Sequence, residues 1–470
     1  MPLILPGNVA TATASTTYDV ANSVRMDGSS AYMDKTMGTP TDTDKYTFSF
    51  WCKRSKLGAQ QSIFRSTNGN DDSHVTFQAD DTLRFEEYGG LSSIGKLQTT
   101  QVFRDASAWY HIVLVYDSGN ATAGNRMRMY VNGTEVTTFG TDNNPSQDAN
   151  SFFNKSGEVL SFGRTPYSGG STYFNGYVAE LVMCDGQAYA ASDFGEFDSD
   201  SPTIWKPKDV SGLTFGNNGF YLDFEASDNL GNDANGGTDF SESGLAAIDQ
   251  STDTCTNNFA TWNPLVKSNG TLSEGNVKYV TSNSSSDYGY RLSTIGVSSG
   301  KWYAEVKYTS SSNQALIGIR SREATAVVDY LGKYSDDYAI YTDGHYYNNN
   351  SETTNDNASW TNGDIIGIFL DLDNNKLYFS KNGSLYSSTG ISITAAASTT
   401  TGFYFFSASE WNSSGDGTFE LNTGGSPSFS LTSAVNDGEY GSFEYTTTIT
   451  GDGASKTFKA LNTKNLAEFG

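Results

Sequence analysis

Two short strand-like runs of the sequence, each with a tyrosine among other apolar residues, end in the dipeptide Asn-Gly. Asn132-Gly133 follows the run at 126–131, and Asn382-Gly383 follows the run at 376–381. Both residues of such a pair tolerate positive φ, which the two-residue turns of β-hairpins require. Short alternating runs separated by Gly, Asn, Asp and Ser recur along the chain, and sustained helical periodicity with caps is missing. The pattern therefore predicts an all-β protein.

The length of 470 residues exceeds what one hydrophobic core supports and predicts two to three domains. Aromatic residues make up 13% of the chain, with 28 Tyr and 28 Phe, which argues against disorder. Changes in patterning divide the chain into five predicted parts. These are an extended N-terminal attachment segment (1–20), a sandwich (21–200), a connector with short strands (201–256), a second sandwich (257–429) and a Gly/Ser/Thr-rich insertion with a C-terminal segment (430–470).

The formal net charge is -24, from 53 acidic and 29 basic residues. A negative field of this size repels phosphate backbones, so we expect no nucleic-acid partner. The three cysteines, Cys52, Cys184 and Cys255, are odd in number and widely spaced, which fits neither a disulfide framework nor a zinc site. The N-terminus lacks the pattern of a signal peptide, and no apolar stretch approaches the ~18–20 residues needed to span a bilayer. These features predict synthesis in a reducing cytoplasm without membrane insertion.

The first half of the chain resembles laminin-G-like, concanavalin A-like domains. The resemblance rests on an aromatic strand, a Trp-x-His strand, a Tyr-Val-Asn-Gly hairpin and a closing strand, at 46–51, 109–116, 126–133 and 174–182. It implies a jelly-roll sandwich. Many of these domains carry an acidic residue that helps to hold calcium at the position of Ala179, so the alanine weakens the case for calcium there.

The second half resembles a SPRY domain, which implies a second antiparallel β-sandwich in tandem with the first. The resemblance rests on a Gly-Lys-Trp-Tyr-x-Glu strand, a Gly-Asp-x-Ile-Gly strand, a Lys-Asn-Gly hairpin and a final strand, at 300–306, 363–371, 376–383 and 419–427. Residues 430–456 interrupt the pattern near its end. We expect this insertion to make a contact of its own, such as one between subunits.

The chain as a whole, including 1–8 and 458–463, resembles virion-associated proteins of tailed bacteriophages. The resemblance implies a virion protein of a tail fibre, tail appendage or capsid fibre that is made in the host cytoplasm and exposed on the particle. Its segment 1–20 would attach to other virion proteins, or else is disordered. The implied role is adhesion to a host-surface carbohydrate or protein as a homo-oligomer, by analogy a trimer. The alternatives are a purely structural capsid decoration or tail subunit, a polysaccharide depolymerase and a secreted bacterial adhesin.

Catalysis by this chain is not predicted, and we assign no catalytic residues. Concanavalin-type glucanases need two carboxylates on one strand, about 5–9.5 Å apart. The nearest string, Glu196-Phe-Asp198-Ser-Asp200-Ser201, lacks a further acidic residue at the expected position and is typical of a surface loop. His111 lies in the middle of a strand pattern, where a structural histidine is expected, and it is far in sequence from His74 and His345. Neither a nucleophile elbow nor a P-loop is present.

The favoured ligand surface lies within 329–360, where tyrosines, His345 and a tryptophan alternate with Asn and Ser. Tyr and Trp supply rigid amphipathic area and Asn and Ser supply adaptable hydrogen bonds, a composition typical of binding surfaces. By strand alternation we expect about half of these aromatic residues to face the core. The predicted ligand-binding residues are Tyr334, Tyr346, Tyr347 and Trp360. A second candidate is the Gly-rich tip between Tyr167 and Tyr173, which could equally be a simple strand connection.

An Asx-rich loop offers a candidate calcium site, although cofactors are otherwise not implied. Asp228, Asn232, Asp233 and Asp239 place hard oxygen ligands close together in sequence, as Ca²⁺ requires. Asx-rich turns without metal have the same composition. The sequence leaves both interpretations open.

Overall fold

A computed structural model describes residues 18–166, 172–266, 268–282, 288–310, 314–322, 330–355, 357–411 and 416–470. The chain divides into two compact units, with the boundary between Thr256 and Asn257. Each unit is a β-sandwich, and pairings between the described strands are antiparallel except for one short pair. The described part of the chain holds a single α-helix, α1 (Thr463–Phe469). The prediction of an all-β chain with two tandem antiparallel sandwiches is confirmed.

The first unit has two large sheets. Its strands are β1 (Ser23–Asp27), β2 (Tyr32–Thr36), β3 (Lys45–Arg54), β4 (Gln61–Thr67), β5 (Asp72–Phe77), β6 (Thr82–Gly89), β7 (Ser92–Val102), β8 (Trp109–Asp117), β9 (Met127–Val131), β10 (Thr134–Glu135), β11 (Phe139–Asn143), β12 (Val159–Phe162), β13 (Asn175–Asp185), β14 (Gly195–Phe197), β15 (Trp205–Pro207), β16 (Phe220–Leu222), β17 (Ser241–Ser243) and β18 (Gln250–Ser251). One sheet runs β10-β9-β8-β3-β13-β1-β18, with β16 beside β13, and the other runs β11-β7-β6-β5-β4-β12-β2-β17. Alternate side chains meet between them, as Phe48 of β3 does when it stacks on Phe64 of β4 at 4.5 Å.

Residues 201–256, predicted to be a connector with short strands, fall within the first compact unit. β16, β17 and β18 add strands to both sheets, and Phe215 and Tyr221 cover Val113 and Val182 on the outer side of β8 and β13. The reason is that the outer side of this sheet is apolar and needs a cover. β18 also pairs with β1, so the last strand of the unit closes against the first.

A bulge in β13 turns one carboxyl into the apolar outer side of the first unit. The register slips between Ala179 and Val182, and Glu180 adopts a φ of 50°. The Glu180 carboxyl accepts hydrogen bonds from the hydroxyls of Tyr18 (3.0 Å) and Tyr221 (2.9 Å). Burial raises the pKa of Glu180 to about 7 because the charged form loses its water.

The second unit also has two main sheets. Its strands are β19 (Thr271–Ser273), β20 (Lys278–Val280), β21 (Tyr290–Leu292), β22 (Lys301–Thr309), β23 (Ala315–Arg320), β24 (Asp337–Tyr341), β25 (Tyr346–Asn348), β26 (Ser351–Thr353), β27 (Ile365–Asp371), β28 (Lys376–Lys381), β29 (Ser384–Leu385), β30 (Ile391–Ser392), β31 (Phe405–Glu410), β32 (Thr418–Asn422), β33 (Thr448–Gly451), β34 (Ala454–Thr457) and β35 (Lys459–Ala460). The nine-stranded sheet runs β19-β20-β32-β22-β27-β28-β29, with β30 beside β28 and β35 beside β22. The six-stranded sheet runs β21-β31-β23-β24-β25-β26.

Residues 430–470 pack on the outer side of the nine-stranded sheet of their own unit. The buried Glu305 carboxylate accepts hydrogen bonds from the backbone N–H groups of Glu444 (2.9 Å) and Tyr445 (2.8 Å), and Phe443 packs against Tyr303 at 4.8 Å. Leu461 O accepts the backbone N–H of Ala260 at 3.1 Å, so this unit also closes its end against its beginning. The sequence predicted a contact made by this insertion, and the structure places one within the same chain.

The two predicted Asn-Gly turns are confirmed. Asn132 and Gly133 have φ values of 47° and 77°, and Asn382 and Gly383 have 47° and 78°. These left-handed conformations match the twist of the flanking strands. In the described ranges, no helix has the length and apolar character needed to cross a membrane.

Candidate ligand-binding face

Four aromatic side chains form one surface on the outer side of the six-stranded sheet, and we call Tyr330, Tyr341, Tyr347 and Trp411 the aromatic face. Trp411 lies at its centre. Its ring stacks on Tyr330 with centroids 4.7 Å apart, and it meets Tyr341 and Tyr347 edge-on at 5.9 and 5.5 Å. Such stacked and edge-to-face pairs fix ring orientations. The face is therefore a preformed surface.

Strand alternation sorts the aromatic residues of this region between the core and the aromatic face. On β24, Tyr338 and Ile340 point into the core of the unit, whereas Tyr341 points outwards. On β25, Tyr346 stacks inwards on Phe379 at 5.9 Å, and its neighbour Tyr347 points outwards. The side-chain period of two in a strand produces this division.

A tight turn supports the aromatic face from one side. Asn349 and Asn350 connect β25 to β26 with φ values of 53° and 57°, as a two-residue hairpin requires. The Asn350 N–H donates to Gly332 O at 2.9 Å, and the Tyr330 hydroxyl donates to Asn350 Oδ1. Gly332 has a φ of 91°, and a Cβ there would lie 2.7 Å from Cβ of Tyr347. The chain therefore uses glycine where it passes over the tyrosine.

The aromatic face remains partly accessible to solvent. Tyr330, Tyr341 and Trp411 are half-buried, and Tyr347 is 9% exposed. Burial raises the pKa of Tyr341, and burial with a hydrogen bond to Glu352 raises the pKa of Tyr347, so both hydroxyls stay neutral at physiological pH. The face offers ring surface and neutral hydroxyls, which suit an uncharged amphipathic ligand.

Two carboxylates and an imidazole border the aromatic face. Asp343 and His345 lie in the turn between β24 and β25, and Glu352 lies on β26 directly opposite Tyr347. His345 Nδ1 lies 3.3 Å from Asp343 Oδ2 and also contacts Glu352 Oε1. Hydrogen bonds from His345 and Tyr347 lower the pKa of Glu352. The border therefore carries charged acceptors beside an aromatic surface.

The structure corrects two of the predicted ligand-binding residues. Trp360 is 1% exposed, its indole N–H donates to Tyr341 O at 2.7 Å, and its ring packs edge-on against Tyr308. It is a core residue because its large ring fills the space between the sheets. Tyr346 has its ring against the core, and the low exposure of Tyr347 leaves only part of its ring for a ligand.

The other predicted ligand-binding residues do not join the aromatic face. Tyr334 is half-buried, and the guanidinium of Arg322 lies 4.1 Å from its ring centroid, so one face of that ring is already covered. Tyr173 is half-buried in the first unit, where its backbone forms an isolated antiparallel β-bridge with that of Arg164. Tyr167 lies outside the described residues. Trp411, which the sequence analysis missed, takes the central position instead.

In the candidate calcium loop, protein donors contact Asp233 and Asp239, which favours the metal-free Asx turn of the two interpretations. The Asp233 carboxylate is buried, lies 3.3 Å from Lys35 Nζ, and accepts the backbone N–H of Tyr221 at 3.0 Å. Asp239 accepts the Asp233 N–H at 3.0 Å. The ammonium group supplies the positive charge that a cation would bring. Asp228 is exposed, and Asn232 is half-buried in a turn of the same loop.

His111 is a buried structural residue. The indole N–H of Trp205 donates to Nδ1 of His111 at 2.9 Å, so the ring proton lies on Nε2, which donates to Ser49 Oγ at 2.9 Å. Burial lowers the pKa of His111 to about 3, and the imidazole is neutral. Asp198, in the acidic string of the first unit, accepts the N–H groups of Asp200 and Ser201 at 2.9 Å and thereby shapes a turn.

Comparisons with known proteins agree with the two-sandwich architecture. Residues 27–190 match the concanavalin A-like lectin/glucanases superfamily, and residues 301–422 match the SPRY domain. No curated protein sequence matches the chain. The SPRY domain of human HERC1 is 19% identical with a TM-score of 0.26, covering 31% of this chain and 86% of that one. A heptameric SAP-like pentraxin from Limulus polyphemus is 17% identical with a TM-score of 0.28, covering 37% of this chain and 80% of that one. From the two family matches, this chain carries a concanavalin A-like domain followed by a SPRY domain.

Proposed function

We propose that this chain is a non-catalytic binding protein that recognises a neutral carbohydrate through the aromatic face. The proposal rests on one observation. Three tyrosines surround Trp411 on the outer side of a sheet, with ring centroids 4.7–5.9 Å from its own. A pyranose ring presents a C–H-rich face that stacks on an aromatic ring and a rim of hydroxyls that need hydrogen-bond partners. The aromatic face and its bordering carboxylates offer both.

The scaffold favours binding because little has to be ordered when the ligand arrives. Tyr341 and Tyr347 lie on strands, and the Gly332 and Asn350 contacts hold Tyr330 in place. A surface that is already in its bound conformation loses less entropy on association. The net charge of -24 repels acidic polysaccharides, which favours an uncharged glycan.

The proposed setting is the surface of a bacteriophage particle, where the chain binds a glycan of the host. The support is the sequence resemblance at 1–8 and 458–463 to virion-associated proteins of tailed phages. In this proposal segment 1–20 attaches the chain to other virion proteins, and the chain assembles as a homo-oligomer, by analogy a trimer. Gold-labelled antibody on intact particles tests the setting. Label on fibres or the tail supports adhesion, label spread over the capsid supports a decoration subunit, and unlabelled particles contradict the setting.

A glycan array probed with the full chain tests the binding function. Trp411→Ala and Tyr341→Ala should each weaken binding to the selected glycan at least 10-fold, since loss of a stacked aromatic residue at a hot spot costs about 2 kcal/mol. Tyr440→Ala, at an exposed tyrosine of the same unit that belongs to neither candidate surface, serves as the matched control and should bind as the unaltered chain does. Thermal unfolding of each variant separates lost binding from lost folding. Equal binding by all three variants would refute the aromatic face, and release of reducing ends from the glycan would refute the non-catalytic role.

A further inference from the structure

The border of the aromatic face contains a set of metal-ligand atoms. Asp343, His345 and Glu352 each offer one ligand atom, and these three atoms lie within 4.8 Å of one another. Zinc binds imidazole nitrogen and carboxylate oxygen at about 2.0–2.2 Å, so the ligands of a tetrahedral site are separated by roughly 3.5 Å. The distance from His345 Nδ1 to Asp343 Oδ2 is 3.3 Å, close to that separation.

The charge around these residues differs from that around two other carboxylates of the chain, Asp233 and Asp371. In the described ranges, the ion pairs of Asp343 and Glu352 are made with His345 alone. By contrast, Asp233 has Lys35, and Asp371 has Lys301 and Lys456. With a neutral imidazole the three side chains carry two negative charges, which one divalent cation neutralises.

Two elements carry the three ligands. The turn between β24 and β25 carries two of them, and Asp343 Oδ1 accepts the His345 N–H at 2.8 Å. The third, Glu352, is fixed by the pairing of β26 with β25, which sets it opposite Tyr347. The ligand set therefore borders the aromatic face through Tyr347, which hydrogen-bonds Glu352.

We infer that Asp343, His345 and Glu352 bind one divalent cation of the zinc type, whose open coordination position takes a hydroxyl of the glycan on the aromatic face. The nitrogen ligand favours zinc over calcium, because calcium is held by oxygen atoms. Three protein ligands leave the fourth position of a tetrahedral ion for an exogenous ligand. The hydroxyl contact rests on the proposed function, whereas the cation site rests on its own ligands.

Titration of the EDTA-treated full chain with zinc chloride, followed by calorimetry, tests the cation site. One zinc ion per chain is expected, with binding abolished in His345→Ala and weakened at least 10-fold in Glu352→Gln. His74→Gln is the matched control, since His74 lies 3.4 Å from Glu86, whose charge Arg84 and Lys96 already offset. If the unaltered chain takes up no zinc, or if His345→Ala takes up as much as the unaltered chain, the site is overturned. His345 then only forms ion pairs with Asp343 and Glu352.

Glycan binding measured with and without zinc tests the hydroxyl contact. The expected result is a loss of at least 10-fold in affinity after EDTA that added zinc chloride restores. Trp411→Ala should keep the zinc site and lose the glycan. An affinity that EDTA leaves unchanged overturns the contact between cation and sugar. Zinc uptake without binding to any glycan leaves the cation site standing and contradicts the proposed function.

Discussion

Replacing Glu180 by glutamine should remove a pH dependence of the stability of the first unit. The pKa of Glu180 is about 7 in the folded chain and 4.5 for an ordinary glutamate. The folded state therefore holds this proton more tightly than the unfolded state does. Stability is fully present below pH 4.5 and is lost as the pH rises through 7, because the unfolded chain then releases a proton that the folded chain retains.

The size of the effect follows from the difference of about 2.5 pKa units, at 1.36 kcal/mol per unit, which gives a loss of about 3 kcal/mol between pH 4.5 and 8. A glutamine at this position still accepts the hydrogen bonds of Tyr18 and Tyr221 through its carbonyl oxygen. It has no proton to lose in this range. We therefore expect the gain in stability of Glu180→Gln over the unaltered chain to be about 2.5 kcal/mol larger at pH 8 than at pH 5.

Hydrogen exchange of the β13 amides at pH 5 and pH 8, corrected for the intrinsic exchange rate, reports on the first unit specifically. Urea unfolding of the same samples gives the free energy. Glu135→Gln removes the same charge from an exposed position and serves as the control. If the stability of Glu180→Gln changes between pH 5 and pH 8 as much as that of the unaltered chain, the account of Glu180 is wrong.

Two further substitutions test other parts of the structure. Lys35→Met leaves the Asp233 carboxylate buried without its cation and should lower the free energy of unfolding by about 3 kcal/mol, measured by urea denaturation. The control Lys155→Met breaks an exposed ion pair and should lower it by less than about 1 kcal/mol. Equal losses in the two variants would contradict the argument. Gly332→Ala places a Cβ 2.7 Å from Cβ of Tyr347 at a φ of 91°. It should lower the free energy of unfolding, measured by thermal unfolding, by more than about 1 kcal/mol and should weaken glycan binding. Unchanged stability and affinity would show that the turn can shift.

The fold could be predicted from the sequence because its determinants are local. Period-two alternation and the Asn-Gly turns specify strands and hairpins without knowledge of what packs on them. The placement of 201–256 and 430–470 could not be predicted in this way. Those segments have little periodicity, and what fixes them is an apolar outer sheet side and a buried acceptor such as Glu305, both of which depend on residues far away in sequence.

Three of the four residues of the aromatic face lie within 329–360, the region that the sequence favoured, and Trp411 lies outside it. Tyr341 and Tyr347 follow alternation, but Trp360 lies outside the described strands, where the rule does not tell which way a side chain points. Trp411 was missed because it lies outside 329–360, the region in which the sequence concentrates Tyr, Trp, Asn and Ser. The structure extends β31 to Glu410, and continuing the alternation by one residue puts Trp411 on the outer side.

The closure of each unit's end against its beginning has a consequence for how the chain is made. Ser23 pairs with Ser251 in the first unit, and in the second unit Thr463 donates its N–H to Asn258 O at 3.0 Å. At 5–20 residues per second, a ribosome needs roughly 10 to 50 seconds to deliver the closing segment of either unit. During that delay the early strands have open edges that can pair with other chains. The excess of acidic over basic residues opposes such pairing during synthesis, because unfinished sheets of like charge repel one another.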